Sequence, residues 1–366
     1  MRSGWRMSLL MVDRMAIHRL MHLWFAPIVL ISAALSGCAL VGGNTENASL
    51  QQLAVRHRIC SVVVAVIKNR QLQSVETASG CQPEMIPNPD TVFEVASLSK
   101  PVFAYAVLKL VQQGKLDLDA PIAKYLPVGF AQQSPFLALS NDGQVSTKLD
   151  MVTVRMALNH TAGLTNLDQS KPTLQSDPGQ QWMYSGWGYS MLQEAVEVVT
   201  KMPLERFMLA SVFEPLKMTQ SSYVFESRFS SNFAAPRNTN TDIIDRPRLI
   251  NAVSAYSLHT TAEDYSRFVV ALLNDTVLLK ITADKTASVK KELNLTWGLG
   301  WGIEQHASGA MFWHWGNNPG YRAFVIASTQ SGDAMVMLTN SNNGLAIAES
   351  LTRRILPGSF KVFSFI

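Results

Sequence analysis

A serine and a lysine three residues apart, Ser97 and Lys100, open the stretch EVASLSKPVFAYAVLKLVQQG, residues 94–114. Helical spacing puts them one turn apart on the same face. Residues 102–111 are apolar with hardly a break, which predicts a helix buried on every side and stopped at Gly114. A lysine in the first turn of such a helix must find a partner or give up its proton more easily. A serine beside it, among the free N–H groups of a helix start, then becomes a nucleophile with its own base. S-x-x-K alone arises often by chance, so the reading depends on what else the chain holds.

Two further stretches carry chemistry-capable side chains. Tyr184-Ser185-Gly186 sits on a turn that leads into a helix with apolar residues at Met191, Leu192, Ala195, Val196 and Val199. His314-Trp315-Gly316 ends an apolar, aromatic run. His160 closes the short helix of VTVRMALNHTAGL and reads as structural. The elements that must position these groups follow from pattern. Residues 61–67 and 72–77 are β-branched runs separated by Lys68-Asn69-Arg70-Gln71, which reads as a hairpin. TWGLGWGIEQ, AMFWHWG, YRAFVIAST and AMVMLTN read as successive antiparallel strands, and residues 343–355 as a closing helix. Thr261, three residues before Asp264, is an N-cap candidate for the helix AEDYSRFVVALL. Strands at both ends and helices between predict an α+β fold. One antiparallel sheet is built from both chain ends (about 49–115 and 285–366) and flanked by helices, with a mainly helical lobe inserted at about 116–284.

The 366-residue chain carries 31 basic and 27 acidic residues. Its first 37 residues read as an export signal: Arg2, Arg6, Arg14 and Arg19 precede an apolar run, 23–35, too short to span a bilayer. Setting that segment aside removes four arginines and Asp13, leaving 27 basic against 26 acidic residues. The basicity belongs to the leader, and no nucleic-acid partner follows from it. Leu35-Ser36-Gly37-Cys38 resembles the lipobox of bacterial lipoproteins, in which the cysteine is acylated. The alternative is an ordinary signal peptide, and Met7, Met11 and Met15 are other possible starts. Residues 38–48 read as a tether and 49–366 as the folded part. Folding the hairpin back brings Cys60 near Cys81, either as a disulfide in an oxidising compartment or as two buried thiols. Five histidines follow the leader without metal-ligand spacing, so no metal or cofactor is expected.

Taken together, FEVASLSKPV, GKLDLDAPIAKYLP, VTVRMALNHTAGL, PGQQWMYSGWGYSML and TWGLGWG resemble, in order, the class C β-lactamase-like branch of the serine β-lactamase and penicillin-binding superfamily. That branch includes esterases and D-specific peptidases. The resemblance implies an acyl-enzyme at Ser97, proton transfer shared by Lys100 and Tyr184 with the base undecided between them, and an oxyanion hole from the backbone N–H groups of Ser97 and Asn317. It also implies substrate contacts from Gly186, His314, Trp315 and Gly316, and a small-molecule ester, β-lactam or cell-wall peptide as substrate. Two departures stand out: Gly186 replaces an asparagine whose amide holds the substrate's side-chain amide, and His314 replaces a lysine, with Trp315 after it. Trp182, Trp187 and Trp313 beside the motifs suggest a cleft with apolar walls. The lost amide, a bulky Trp315 and a mostly neutral His314 favour simple esters over bulky β-lactams. The rival reading is a catalytically weak penicillin- or cell-wall-binding protein on the same scaffold. Oligomeric state is not legible.

The lipobox resemblance, with no acidic residue after Cys38, implies periplasmic attachment to the outer membrane through acyl chains, each buried CH₂ contributing about 0.8 kcal/mol. Membrane fractionation of Cys38→Ser is expected to move the protein to the soluble fraction; continued tight association would count against the anchor.

Overall fold

The computed structural model describes residues 48–82, 86–128, 147–167 and 171–366. The leader, Cys38 and most of the tether lie outside the described residues. Among the described residues no helix is long and apolar enough to cross a membrane. The chain begins with helix α1 (Leu50–Arg56), capped by Ser49 and Gln52 reciprocally. Strands β1 (Val62–Lys68) and β2 (Gln71–Ala78) follow as an antiparallel hairpin. Its turn residues Asn69 and Arg70 both take positive φ. Then come β3 (Phe93–Glu94), the 3₁₀ turn Ala96–Leu98 and the long helix α2 (Ser99–Gln112).

The middle of the chain supplies α3 (Val154–Leu158), α4 (Gly186–Thr200) and α5 (Leu204–Met208), the last running on into a π turn at Leu209–Phe213. Strand β4 (His259–Thr260) pairs with β3. Helix α6 (Ala262–Asn274), N-capped by Thr261 as the sequence predicts, is followed by α7 (Thr276–Thr282). The last quarter is a meander of β5 (Ala287–Lys290), β6 (Leu295–Trp297), β7 (Gly302–His306), β8 (Gly309–Asn318), β9 (Tyr321–Ser328) and β10 (Ala334–Thr339). Helix α8 (Ala348–Ile355) closes against β10.

The large sheet has eight strands in the order β2-β1-β10-β9-β8-β7-β6-β5, all antiparallel. The hairpin near the start therefore docks on the last strand, Val62 opposite Thr339. Both faces are covered, which explains why β1, β9 and β10 are apolar on nearly every residue and lack a polar side. Alternation splits them between two cores. Val63, Ala65, Ile67, Val336 and Leu338 join the core that holds α2. Val62, Val64, Val66, Met335 and Met337 join the core with α1 and α8.

Helix α2 lies inside the first core for all but its last turn; every residue from Ser99 to Leu108 is buried, and Gln112 is exposed. Helix α6 packs on β1, β2 and β10, with Phe268 edge-on to Tyr105 of α2 at 5.6 Å. This corrects one lobe boundary. The sequence places residues 262–274 in the inserted helical lobe, but Tyr265, Phe268, Val269, Leu272 and Leu273 form an apolar stripe that belongs to the sheet layer. Pattern alone shows such a stripe without showing which surface it covers.

A disulfide joins Cys60 and Cys81 at the open end of the β1–β2 hairpin. The two residues are 21 apart in sequence, and closing a loop of that size removes roughly 3 kcal/mol of unfolded-state entropy. Reduction, or Cys81→Ser, is therefore expected to lower stability by about that amount in a denaturant titration, with a steeper slope because the unfolded chain is no longer cross-linked.

Candidate active site

The backbone bends sharply just before the serine. Ala96 has φ +52°, a left-handed conformation that costs a non-glycine residue of the order of 1 kcal/mol. The bend turns Ser97 outward, half-exposed, while Lys100 one turn on stays 2 % exposed. It is held by hydrogen bonds from both lobes. Tyr265 donates its hydroxyl to the Leu98 carbonyl at 3.0 Å and Tyr223 donates to that of Ser99 at 2.7 Å. Ser99, the other serine of the motif, donates to Ala96 O at 2.6 Å and accepts from Leu258 N–H. Its hydroxyl is consumed by the turn, whereas that of Ser97 faces the cleft.

Lys100 Nζ donates to Ser97 Oγ at 3.1 Å and to the Ala255 carbonyl at 2.8 Å. It also lies over the Tyr184 ring, 4.6 Å from its centroid. Burial pushes the lysine down to about 7, because a desolvated ammonium with no carboxylate loses much of its advantage over the amine. Burial pushes the Tyr184 phenol up, with the Ser97 hydroxyl opposing it. The tyrosine oxygen is enclosed without a well-formed hydrogen bond of its own. Burial outweighs the Ser97 hydrogen bond, so the phenol keeps its proton in the free site.

Tyr184 is positioned by His160. This residue adopts φ +60°, accepts Ser185 N–H on Nδ1 at 3.1 Å, and stacks on the Tyr184 ring with centroids 4.3 Å apart. Its carbonyl accepts Met183 N–H. His160 thus shapes the 183–185 turn from within the core, in line with a structural role. The other face of Tyr184 meets Trp315 at 5.4 Å and Trp297 at 5.9 Å.

Strand β8 brings the third motif. Strand β7 pairs with it only as far as Trp313, so beyond that point one edge of β8 approaches the serine turn. Gly316 permits this: a Cβ there would sit 2.3 Å from the Val95 carbonyl. Asn317 consequently stands in the wall of the same cleft as Ser97 and Lys100, an opening of about 830 Å³.

The remaining motif residues stand elsewhere than expected. His314 is fully buried, and its Nδ1 lies 2.8 Å from the Trp315 carbonyl. A carbonyl only accepts, so Nδ1 carries the proton and Nε2 is a bare lone pair, enclosed without a partner among the described residues. Burial first, then the charge of Lys100, pushes His314 down to about 3, so the ring is neutral and supplies no cation for a substrate. Trp315 alternates to the opposite face and packs in the second core beside Trp313 and Phe365, as do Trp182 and Trp313. Of the tryptophans, Trp187 lines the cleft.

Gly186 N–H donates to Asn166 Oδ1 at 3.0 Å, and Asn166 itself stands in the cleft wall. The cleft's fixed charge comes from Arg246, which donates to Glu94 at 3.0 Å and to the Pro319 carbonyl at 3.2 Å. Asn166, Arg246 and the Ala255 carbonyl were not legible as site groups. They lie in loops with little periodic signal, and a backbone carbonyl leaves no trace in residue type.

With this geometry in view, residues 47–358 match the sequence profile of the family described as Beta-lactamase. The chain belongs to that family. Penicillin-binding protein 4* of Bacillus subtilis (strain 168) is 24% identical over 315 residues, covering 72% of this chain and 64% of that protein. Esterase EstB of Burkholderia gladioli is 34% identical over 176 residues, 40% of this chain and 42% of that one. The chain thus spans less than two thirds of the length of these curated relatives. The structure of D-alanine carboxypeptidase AmpC from Burkholderia cenocepacia superposes with a TM-score of 0.70 at 18% identity, covering 85% of this chain and 97% of that one. The shared α+β fold, with its eight-stranded antiparallel sheet flanked by helices, is that of the family.

The lowered lysine sets a pH dependence. Were Lys100 the general base it would have to be neutral, and kcat/KM for an uncharged ester is then expected to rise as pH increases through about 7 and level off above it. Tyr184→Phe should lower the plateau by about 10²–10⁴-fold and leave that limb in place. Disappearance of the limb in Tyr184→Phe would instead assign the base to the tyrosine.

Proposed function

We propose that this β-lactamase-family chain is an exported serine hydrolase that forms an acyl-enzyme at Ser97, with esters as preferred substrates. The contact of Lys100 Nζ with Ser97 Oγ at 3.1 Å, inside an open cleft, carries the reading. Neutral Lys100 takes the Ser97 proton as the oxygen attacks the carbonyl. The backbone N–H groups of Ser97 and Asn317 receive the developing oxyanion. Tyr184, protonated in the free site, would hand its proton to the leaving group, which leaves it a phenolate beside protonated Lys100. Water completes the cycle by the same steps in reverse order.

Ester preference is supported by His314. A neutral, buried imidazole gives no salt bridge to a substrate carboxylate, and an ester needs less leaving-group protonation than an amide. A peptidase or β-lactamase reading draws on Arg246, a permanent cation in the cleft wall beside Asn318, although Glu94 offsets its charge. The export and lipid-anchor reading of Cys38 stays a proposal on sequence grounds, with attachment to the outer membrane.

Ser97→Ala is expected to lower ester turnover by about 10⁴-fold or more, because nucleophile and base fail as a unit. A fluorophosphonate should label Ser97 in the parent chain, and adduct mapping checks it; a label on Ser99 alone would sink the assignment. On one preparation, a p-nitrophenyl ester should give a higher kcat/KM than a cephalosporin or a D-Ala-D-Ala peptide. Stable stoichiometric labelling by penicillin without any turnover would favour the binding-protein reading.

A further inference from the structure

Position 186, where the superfamily's asparagine is missing, is not empty space. A Cβ on Gly186 would lie 2.7 Å from the Leu167 side chain and 2.9 Å from Asn166 Oδ1. Asn166 therefore occupies the volume that a side chain at 186 would need, and the two exclude one another. Its amide is also oriented. Gly186 N–H can only donate, so the atom it meets at 3.0 Å must be the oxygen. The Nδ2 group then lies on the side away from Gly186 N–H, and Asn166 stands in the wall that holds Ser97 and Lys100.

We propose that Asn166 is a specificity-determining residue that reads the acyl half of the substrate as a one-way donor. A free asparagine amide offers both a donor and an acceptor, and so matches an acylamino group whose carbonyl and N–H both need partners. Here the oxygen is turned to Gly186 N–H, so Nδ2 is the part of the amide on the side away from Gly186. Two carbonyls of the cleft wall, those of Ala255 and Tyr256, already accept from Lys100 and Asn318. The donor pair of Asn166 stands in a wall that also holds Leu167 and Trp187. The acyl group that fits carries a second carbonyl oxygen and no N–H, as in an acyloxy or alkoxycarbonyl acid. An acylamino acid would leave its N–H without a partner from this residue, a cost of the same order as the hydrogen bond gained.

This inference rests on the ester-hydrolase reading, and its test separates the two. The probes are p-nitrophenyl butanoate, acetoxyacetate and N-acetylglycinate, each kcat/KM being divided by the rate constant for hydroxide hydrolysis to remove intrinsic reactivity. In the parent chain the corrected acetoxyacetate value is expected to exceed that of butanoate by about 3- to 10-fold, the worth of one hydrogen bond. The N-acetylglycinate value should fall below that of acetoxyacetate. Asn166→Asp keeps an oxygen for Gly186 N–H but replaces the donor by an acceptor, and the acetoxyacetate-to-butanoate ratio should fall to one or below. Asn166→Leu should bring it to about one. Equal corrected values in the parent chain, a ratio unchanged in both variants, or an N-acetylglycinate value above that of acetoxyacetate would each overturn the assignment. The first and last of these outcomes need no variant to fold. Failure of the parent chain to hydrolyse any of the three esters would count against the ester-hydrolase reading instead.

Discussion

The site depends on burying one amine. Lys100 sits in the first turn of a helix whose surroundings contain rings, aliphatic chains and backbone carbonyls but, among the described residues, no carboxylate against its Nζ. Two hydrogen bonds, to Ser97 Oγ and to the Ala255 carbonyl, give it direction without restoring the solvation it has lost. A carboxylate at that place would hold the ammonium firmly and remove its use as a base. The rest of the structure keeps that place dry and neutral: α2 is enclosed on all sides, His160 and His314 are both buried and uncharged, and Tyr184 is protonated. With Tyr189, whose ring centroid lies 5.6 Å from Nζ, four titratable rings surround the amine, and none competes with it for charge.

Much of this was legible in residue order. The apolar run after Lys100 announces a buried helix, and the β-branched and aromatic runs at the two ends announce strands that share a sheet. The motif residues Ser97, Lys100, Tyr184 and Asn317 do converge on one place. What the sequence could not convey was direction. On β8, His314 and Trp315 are neighbours in the chain but face opposite sides of the sheet. Trp315, expected at the mouth of the site, became a buttress behind Tyr184, and His314 was sealed inside. Strand alternation is simple, but which face meets the cleft is decided by where β7 stops pairing and where Gly316 lets the strand approach the serine turn.

Gly186 shows a second limit. Read as a letter, it is the loss of an amide. In space it is an opening through which an asparagine twenty positions earlier reaches the same wall. Chemical groups in a cleft are conserved or exchanged by volume and direction, and motif positions record only one way of supplying them. Ser99 makes the complementary point: the same residue type two positions from Ser97 is fully engaged in holding the turn.

The pairing of β1 with β10 has a consequence for how the protein reaches its folded state. Ser61 donates to the side chain of Asn340, a partner 279 residues along the chain, and the middle of the sheet is completed only when β10 joins the early hairpin. Closing so long a loop must precede most of the contacts that reward it, which makes assembly slow compared with proteins built from neighbouring segments. Helix α2 can be enclosed only after that closure, because β1 and β10 form part of the core around it. A chain emerging from a narrow pore, amino end first, would therefore stay open and threadable until its last strands arrived. The dry amine, and any reactivity it confers on Ser97, would come into being at the end of that passage.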